Sequence, residues 1–170
     1  LMDAFSVPVF KLEGYEADDI LGALCQQAEH QEIESLILTG DTDTLQLVSR
    51  WVRVLLGHGV QGRTLYDVSA VKERYGGLGP DAIADIKALE GDNSDNIPGV
   101  PGVGSKTAIR LLVEYGDIEG IYDNLNEIKP PRVQKLLAEN RTIAFRDKTL
   151  TTIVRDTPVS LDLDAARFWR

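Results

Sequence analysis

Seven carboxylates form three short clusters whose residue types and spacing are typical of a site for divalent metal ions. The clusters contain no Cys or His, and an all-oxygen ligand set suits Mg²⁺ or Mn²⁺ and argues against zinc. Two such ions, about 4 Å apart, can activate a water molecule and stabilise the leaving oxygen of a phosphodiester. The clusters are Glu16, Asp18 and Asp19, then Asp41 and Asp43, then Asp92 and Asp95.

The two clusters in the first half of the chain also have ordinary explanations when each is taken alone. Acidic residues such as Asp18 and Asp19 cap helices and complement the dipole of a helix start. Asp41 and Asp43 follow the apolar run 36–38 and could belong to a capped turn. The carboxyl end of a strand is, however, where ligands gather in an open α/β sheet. The three clusters together are therefore more specific than any one of them.

The third cluster leads directly into a glycine-rich hairpin, GVGSKT at 102–107 preceded by GVP at 99–101. Because Asp92 and Asp95 are three residues apart, a helical turn would place both carboxylates on one side. The three hairpin glycines permit positive φ and close approach of another molecule to the backbone. Ser105 can cap a following helix, whose free N–H groups attract anions.

A hairpin that holds phosphate beside metal-binding carboxylates predicts a nuclease. Local positive charge comes from Lys87, Lys106 and Arg110.

Hydrophobic periodicity predicts an α/β fold in which a mainly parallel sheet is followed by a helical lobe. The predicted strands are Val7–Leu12, Ser35–Leu38 and Val52–Leu56, with a returning strand at Leu150–Val154. The predicted helical segments are Asp18–Glu29, Thr44–Val48, Asp67–Tyr75, Pro80–Leu89, Ser105–Tyr115, Ile118–Asn124 and Arg132–Glu139.

Composition sets broad limits on the class of protein. The chain has 170 residues, of which 43% are hydrophobic, so it can bury a substantial core. Its single cysteine cannot form an internal disulfide, which fits a reducing compartment. We find neither an apolar run long enough to span a membrane nor a cleavable leader. A net charge of −9 argues against nucleic acid at first, but divalent cations bound at the carboxylate clusters would reverse the local sign.

Three segments resemble, in order and spacing, the 5′ nuclease domain of bacterial DNA polymerase I, a PIN-like member of the flap endonuclease superfamily. They are GYEADDILG at 14–22, ILTGDTDTLQLV at 37–48 and KALEGDNSDNIPGVPGVGSKTA at 87–108. The resemblance covers nearly all of the chain. It implies a structure-specific nuclease that removes RNA primers and 5′ flaps during replication and repair.

The resemblance also implies roles for the residues of the three clusters. Glu16, Asp18, Asp19, Asp41, Asp43, Asp92 and Asp95 fall on the family's metal-binding carboxylates, and we predict that Asp19, Asp41 and Asp43 are catalytic. The hairpin is similar to the family's helix–hairpin–helix, which holds duplex backbone through main-chain amides and a monovalent cation, here K⁺. The resemblance thus implies contacts to DNA from Gly99, Gly102, Val103, Gly104, Ser105, Lys106 and Thr107. By the same resemblance we expect a monomer that acts on flap or nicked duplex DNA in the bacterial cytoplasm, fused to polymerase domains.

One part of the family pattern has no counterpart in this sequence. Family members begin with a strand that carries a further metal-binding Asp, followed by an arch rich in Lys and Arg, and neither precedes Leu1. We therefore expect an N-terminally truncated chain that binds metal and duplex but cleaves poorly. The expected domains are 1–78 for the metal-binding core, 79–130 for the hairpin lobe and 131–170 for C-terminal helices with a returning strand.

Two alternatives from other functional classes remain open. In the first, the helix–hairpin–helix is the only working part of a DNA-binding module without catalysis. In the second, Asp41-Thr42-Asp43-Thr44 is the DxDx[TV] pattern of haloacid-dehalogenase-like phosphatases, with Asp41 as a phosphorylated nucleophile and Asp43 as general acid. Gly91-Asp92 through Asp95 is faintly similar to the later GDxxxD motif of these phosphatases, which should follow a strand, whereas 81–90 has helical spacing. The phosphatase alternative also leaves Glu16, Asp18, Asp19 and the hairpin unexplained.

Overall fold

A computed structural model describes residues 2, 5, 7–57 and 62–167 of the chain. The chain divides into two compact units. The first comprises residues 1–65 and 153–170, and the second comprises residues 66–152. Each carries one part of the predicted site.

The first unit is an α/β layer. Helix α1 (Ala17–Glu29) precedes strand β1 (Ser35–Thr39), a 3₁₀ helix (Asp43–Leu47) and strand β2 (Val52–Gly57), as predicted. Strands β1 and β2 pair in parallel with Ser35 opposite Val52 and Thr39 opposite Leu56. This pairing places the acidic segment that follows Thr39 at the carboxyl end of a parallel strand.

A third strand, β3 (Arg63–Tyr66), completes the sheet in the order β1-β2-β3. The sequence analysis missed it because three of its four residues are exposed and show no apolar alternation.

The strand predicted at Val7–Leu12 is wrong. These residues have no regular secondary structure, despite their alternation of apolar side chains. A strand needs a partner for its backbone groups, and Pro8 has no N–H to donate to a ladder.

The second unit is helical. Its helices are α2 (Val68–Arg74), α3 (Ile83–Glu90), α4 (Ser105–Tyr115), α5 (Ile118–Asp123), α6 (Pro131–Glu139) and α7 (Arg141–Thr151), with 3₁₀ turns at Pro80–Ala82 and Leu125–Glu127. The predicted helices are confirmed. Helix α7, by contrast, was not predicted. Its sequence is rich in β-branched residues, which favour a helix only weakly.

The returning strand predicted at Leu150–Val154 is therefore also wrong. Leu150 and Thr151 end α7, and the Thr152 amide bonds the Lys148 carbonyl of the same helix. The next two amides are bonded by side chains rather than by a neighbouring strand. The Ile153 amide donates to Gln46 Oε1 at 3.3 Å, and the Val154 amide donates to Asp19 Oδ1 at 2.8 Å. Side chains of the first unit thus take the place of a sheet partner.

A buried ion pair joins three helices of the second unit. Asp85 on α3 is only 4% exposed, and its Oδ1 lies 2.9 Å from Lys148 Nζ on α7. Lys148 also lies 2.6 Å from Glu119 on α5. Burial raises the pKa of Asp85, and the ammonium of Lys148 opposes that rise.

None of the described helices is long and apolar enough to cross a membrane.

Replacing Lys148 with Met should destabilise the chain, because Asp85 would keep its burial and lose its counter-charge. We expect a loss of about 1–3 kcal/mol at pH 7, less than for a fully buried pair because the Lys148 side chain is 28% exposed. A raised carboxyl pKa in the folded state lowers stability as pH rises through it, so the loss should be small at pH 3 and largest at pH 7. Guanidinium unfolding at the two pH values measures both.

Lys135→Met is the matched control. Its side chain is 74% exposed and lies 3.7 Å from Glu139, so its removal should change the unfolding free energy by no more than about 0.5 kcal/mol. An equal effect of the two substitutions would contradict the buried-pair explanation.

Candidate metal centre and nucleic-acid hairpin

The segment after β1 is held by hydrogen bonds that Asp41 accepts from the two residues that begin the 3₁₀ helix. The Asp43 amide donates to Asp41 Oδ1 at 2.9 Å, and the Thr44 hydroxyl donates to the Asp41 carbonyl at 2.7 Å. Asp41 is exposed, whereas Asp43 is only 8% exposed at the start of the 3₁₀ helix. A buried aspartate at the carboxyl end of a strand is costly unless it is paired or binds a metal.

The start of α1 holds the second acidic group of the first unit. Glu16 is the N-cap residue, and its amide donates to Asp19 Oδ2 at 3.2 Å. With the bond from Val154, Asp19 accepts from two backbone amides, one on each oxygen. The capping explanation thus holds for Asp19, and the same bonds fix the direction of its carboxylate.

Asp18 has a different environment from its neighbour. Burial raises the pKa of Asp18, and the negative charges of Asp19 and Asp41 raise it further, against a hydrogen bond from the Asp19 amide. The structure thus brings carboxylates from α1 and from the segment after β1 into electrostatic range. Such a concentration of like charge in a partly buried site favours binding of a cation.

The acidic loop of the second unit is closed by backbone bonds. Asp92 and Ile97 exchange N–H···O bonds of 2.8 Å in an isolated antiparallel bridge. The prediction of a helical turn is therefore wrong, because the loop reverses through Asn96, whose φ is 57°. The two carboxylates are nevertheless close together, since oxygens of Asp92 and Asp95 lie within 4.8 Å of one another.

The Lys87 side chain binds a carboxylate of this loop and does not lie on an exposed surface. It is only 7% exposed, and its ammonium bonds Asp92 Oδ2, while the Ser94 amide donates to Asp92 Oδ1 at 2.8 Å. Although burial alone would raise the pKa of Asp92, the bonds from Lys87 and Ser94 lower it to about 2. Asp92 is therefore ionised at neutral pH, as a metal ligand must be.

Two glycines at the ends of the acidic loop bring its backbone segments into contact. Gly91 and Gly99 have φ values of 84° and 63°. A Cβ on Gly99 would lie 2.3 Å from the Gly91 nitrogen, and a Cβ on Gly91 would lie 2.8 Å from the carbonyl oxygens of Ile97 and Pro98. No side chain larger than hydrogen fits at either position.

The hairpin amides divide into an inner and an outer set. The inner amides are bonded within the unit: Gly99 to Asp147 at 2.9 Å, Val100 to the Leu89 carbonyl at 2.9 Å and Val103 to the Val100 carbonyl at 2.9 Å. Among the described residues, no acceptor bonds the amides of the outer set, which are Gly102, Gly104, Ser105 and Lys106. All four of these residues are exposed.

The N-terminus of α4 differs from the prediction in two details. Gly104 is the N-cap residue, with an extended φ of −101°, so it does not use the positive φ that Gly102 adopts at 87°. Ser105 is the first helical residue and makes no capping bond. Without a side-chain cap, the first amides of α4 are open to an external anion.

The remaining predicted cations differ in their availability. Lys106 is exposed at the start of α4. Arg110 bonds Glu114 at 3.3 Å and the Lys129 carbonyl at 3.0 Å, one turn further along the helix.

The phosphatase alternative is not supported. The segment before Gly91 is the helix α3, not the strand that the later phosphatase motif should follow.

Asp147 is a polar residue of this site that the sequence analysis missed. It lies on α7, 48 residues beyond the glycine that it bonds, and is fully buried. The spacing of Ala144, Asp147 and Thr151 along one buried helix face could have indicated it.

Comparisons with known proteins agree with this architecture. Family models described as "5'-3' exonuclease, N-terminal resolvase-like domain" and "5'-3' exonuclease, C-terminal SAM fold" match residues 1–76 and 78–169. DNA polymerase I of Chloroflexus aurantiacus is 46% identical over 98% of the chain, and DNA polymerase I of Bacillus caldotenax is 44% identical over 96%. The matches cover 18% and 19% of those relatives, so the chain spans about a fifth of their length.

A solved structure shares the fold. The complex of the T5 flap endonuclease with DNA and metal ions superposes with a TM-score of 0.76 at 24% identity, covering 86% of this chain and 53% of that one. The fold of this chain is therefore a known one. On the family matches, which extend over both halves of the sequence, this chain belongs to the 5′-3′ exonuclease family.

Proposed function

We propose that this chain binds divalent metal ions and duplex DNA as part of a 5′ nuclease, a 5′-3′ exonuclease or flap endonuclease that hydrolyses phosphodiester bonds in DNA replication and repair. The observation that carries the proposal is the outer set of hairpin amides. These amides come directly after the acidic loop, whose ends are held together by the contact between the Gly91 and Gly99 backbones. In a chain of the 5′-3′ exonuclease family, these features offer carboxylates for metal ions and amides for phosphate, two of the parts that nuclease chemistry needs.

The proposed metal ligands fit Mg²⁺ or Mn²⁺, since every donor atom is a carboxylate oxygen. We expect two ions at the site. When bound, such ions supply an activated water and stabilise the leaving oxygen. The role proposed for the residues of this chain is to hold and orient the ions. The Glu16 and Val154 amides, for example, fix the direction of the Asp19 carboxylate. We assign catalysis to Asp19, Asp41 and Asp43. The proposed ligands are Glu16, Asp18, Asp19, Asp41, Asp43, Asp92 and Asp95.

The proposed substrate is DNA with a flap or a nick, including an RNA primer, held by hairpin amides and a K⁺ ion. The T5 flap endonuclease, which shares the fold, is described in complex with DNA and metal ions, and this supports the assignment. By relation to DNA polymerase I, we also propose a monomer that is fused to polymerase domains and acts at the bacterial nucleoid.

Asp18→Asn should have opposite effects on stability with and without metal. In chelator, the raised pKa of Asp18 means that the folded chain loses stability as pH rises above the usual value of 3.8, and the substitution removes that loss. The variant should therefore equal or exceed the unaltered chain at pH 7. In Mg²⁺ at a hundred times its Kd, the unaltered chain should gain about 2.7 kcal/mol and the variant much less.

Thermal unfolding in chelator and in Mg²⁺ measures this crossing. Asp156→Asn serves as the control, because Asp156 is an exposed carboxylate of the same unit outside the three clusters. If Mg²⁺ stabilises the Asp18 variant as much as the unaltered chain, Asp18 is not a ligand.

Gly104→Ala should weaken duplex binding without unfolding the chain. A Cβ on Gly104 would meet nothing within 4 Å, so the loss of folding stability should be at most about 1 kcal/mol, as for an N-cap alanine. The same methyl group would stand where a phosphate approaches the first amides of α4. We expect affinity for a short duplex to fall about tenfold, measured by fluorescence anisotropy at fixed salt.

Gly99→Ala is the contrasting variant, because its Cβ would clash with the Gly91 backbone and its φ is positive. It should cost about 2–4 kcal/mol of folding free energy. Unchanged duplex affinity in the Gly104 variant would argue against amide contacts at the hairpin.

Cleavage of a 5′-flap substrate tests the reaction itself. As the sequence leads us to expect, the chain should cleave slowly, and any product should require Mg²⁺. Asp43→Ala should lower that slow rate by at least about 100-fold, since loss of even a residue that only hydrogen-bonds a metal ligand costs 10–100-fold. Duplex binding that is equally tight in Mg²⁺ and chelator, without cleavage and without an effect of Asp41→Ala, would favour the non-catalytic binding module.

A further inference from the structure

Asp147 is a wholly buried carboxylate whose two oxygens serve different parts of the second unit. Its side chain is 0% exposed. Oδ2 accepts the Gly99 amide at 2.9 Å, and Oδ1 accepts Arg146 Nε at 2.8 Å and Nη2 at 2.6 Å. A buried carboxyl group is retained in a protein interior only when its oxygens are hydrogen-bonded in this way.

The Gly99 amide is the one inner hairpin amide, among the described residues, that bonds a side chain. Gly99 cannot shift toward Gly91, because the two backbones are already in contact. The Asp147 bond ties the same residue to α7. Gly99 is thus fixed between a steric limit and a charge-assisted hydrogen bond.

The position of Gly99 sets the direction of the outer amides. Five residues separate it from the first residue of α4, and this short path contains two further internal bonds, from Val100 and Val103. Because the connecting residues are few and internally bonded, a movement of Gly99 would also move Gly104 and Ser105.

We propose that Asp147 is a positioning residue for nucleic-acid binding, which holds Gly99 so that the amides at the start of α4 point at a phosphate of duplex DNA. The proposal deepens the proposed function and rests on it. Asp147 does not itself contact DNA, since its side chain has no exposed surface.

The substitution series separates the Gly99 bond from the Arg146 ion pair. Asp147→Leu removes both at similar volume. Asp147→Asn can keep the Gly99 bond through its amide oxygen and release the half-exposed Arg146 to solvent. Asp147→Ser, whose short polar side chain cannot reach Gly99, replaces the Leu variant if that variant does not fold. Asp85→Leu is the matched control, because it removes a buried carboxylate of the same unit that bonds no hairpin residue.

Two measurements are made on the folded chain and each variant, amide hydrogen exchange by NMR and affinity for a short blunt duplex by anisotropy. For Asp147→Leu or Asp147→Ser we expect exchange at Gly99 to accelerate at least tenfold relative to the rest of the unit, and duplex affinity to fall about tenfold. Asp147→Asn should stay within about twofold of the unaltered chain in both. Asp85→Leu should lower stability and leave both quantities unchanged.

Three results would overturn the proposal. Unchanged exchange at Gly99 in the Leu or Ser variant would show that the bond does not hold the hairpin. Equal losses in the Asn and Leu variants would assign the effect to the Arg146 ion pair. An equal loss of duplex affinity in Asp85→Leu would reduce the effect to general destabilisation.

The proposed function fails separately. If the unaltered chain binds no duplex, the function is wrong, whereas exchange at Gly99 and Gly104 still decides whether Asp147 fixes the hairpin.

Discussion

The contact between the backbones of Gly91 and Gly99 is the constraint on which the second unit's candidate site depends. It closes the acidic loop, so that Asp92 and Asp95 present oxygens within 4.8 Å of one another. It also begins the hairpin, because Val100 returns a bond to α3 and Val103 closes the next turn. Loop and hairpin therefore share one rigid joint, which only glycine allows.

Electrostatics organises the acidic residues of both units, by different means. In the first unit, burial and like charge raise the pKa of Asp18, so the metal-free arrangement stores repulsion that a cation would relieve. In the second unit, Lys87 and Ser94 lower the pKa of Asp92 and keep it ionised. The first environment favours uptake of positive charge, and the second holds a ligand in its charged form.

Sequence reasoning succeeded where the signal was local. The bounds of α4 and the strands β1 and β2 follow from periodicity and from glycine or polar boundaries, and the structure confirms them. It failed at Val7–Leu12 and Leu150–Val154, where apolar alternation or β-branched residues indicated strands. A strand exists only if another segment pairs with it, and at Ile153 and Val154 the side chains of Gln46 and Asp19 bond the amides instead.

The sequence by itself determined which residue types could bind a metal ion and phosphate, because carboxylates and hairpin glycines are read directly from their spacing. Only the tertiary structure decided which of those groups are already engaged. Lys87 is held by Asp92, and the Gly99 amide is held by Asp147, 48 residues away. Burial and long-range hydrogen bonds have no local signature, since they depend on which surfaces the packed helices bring together.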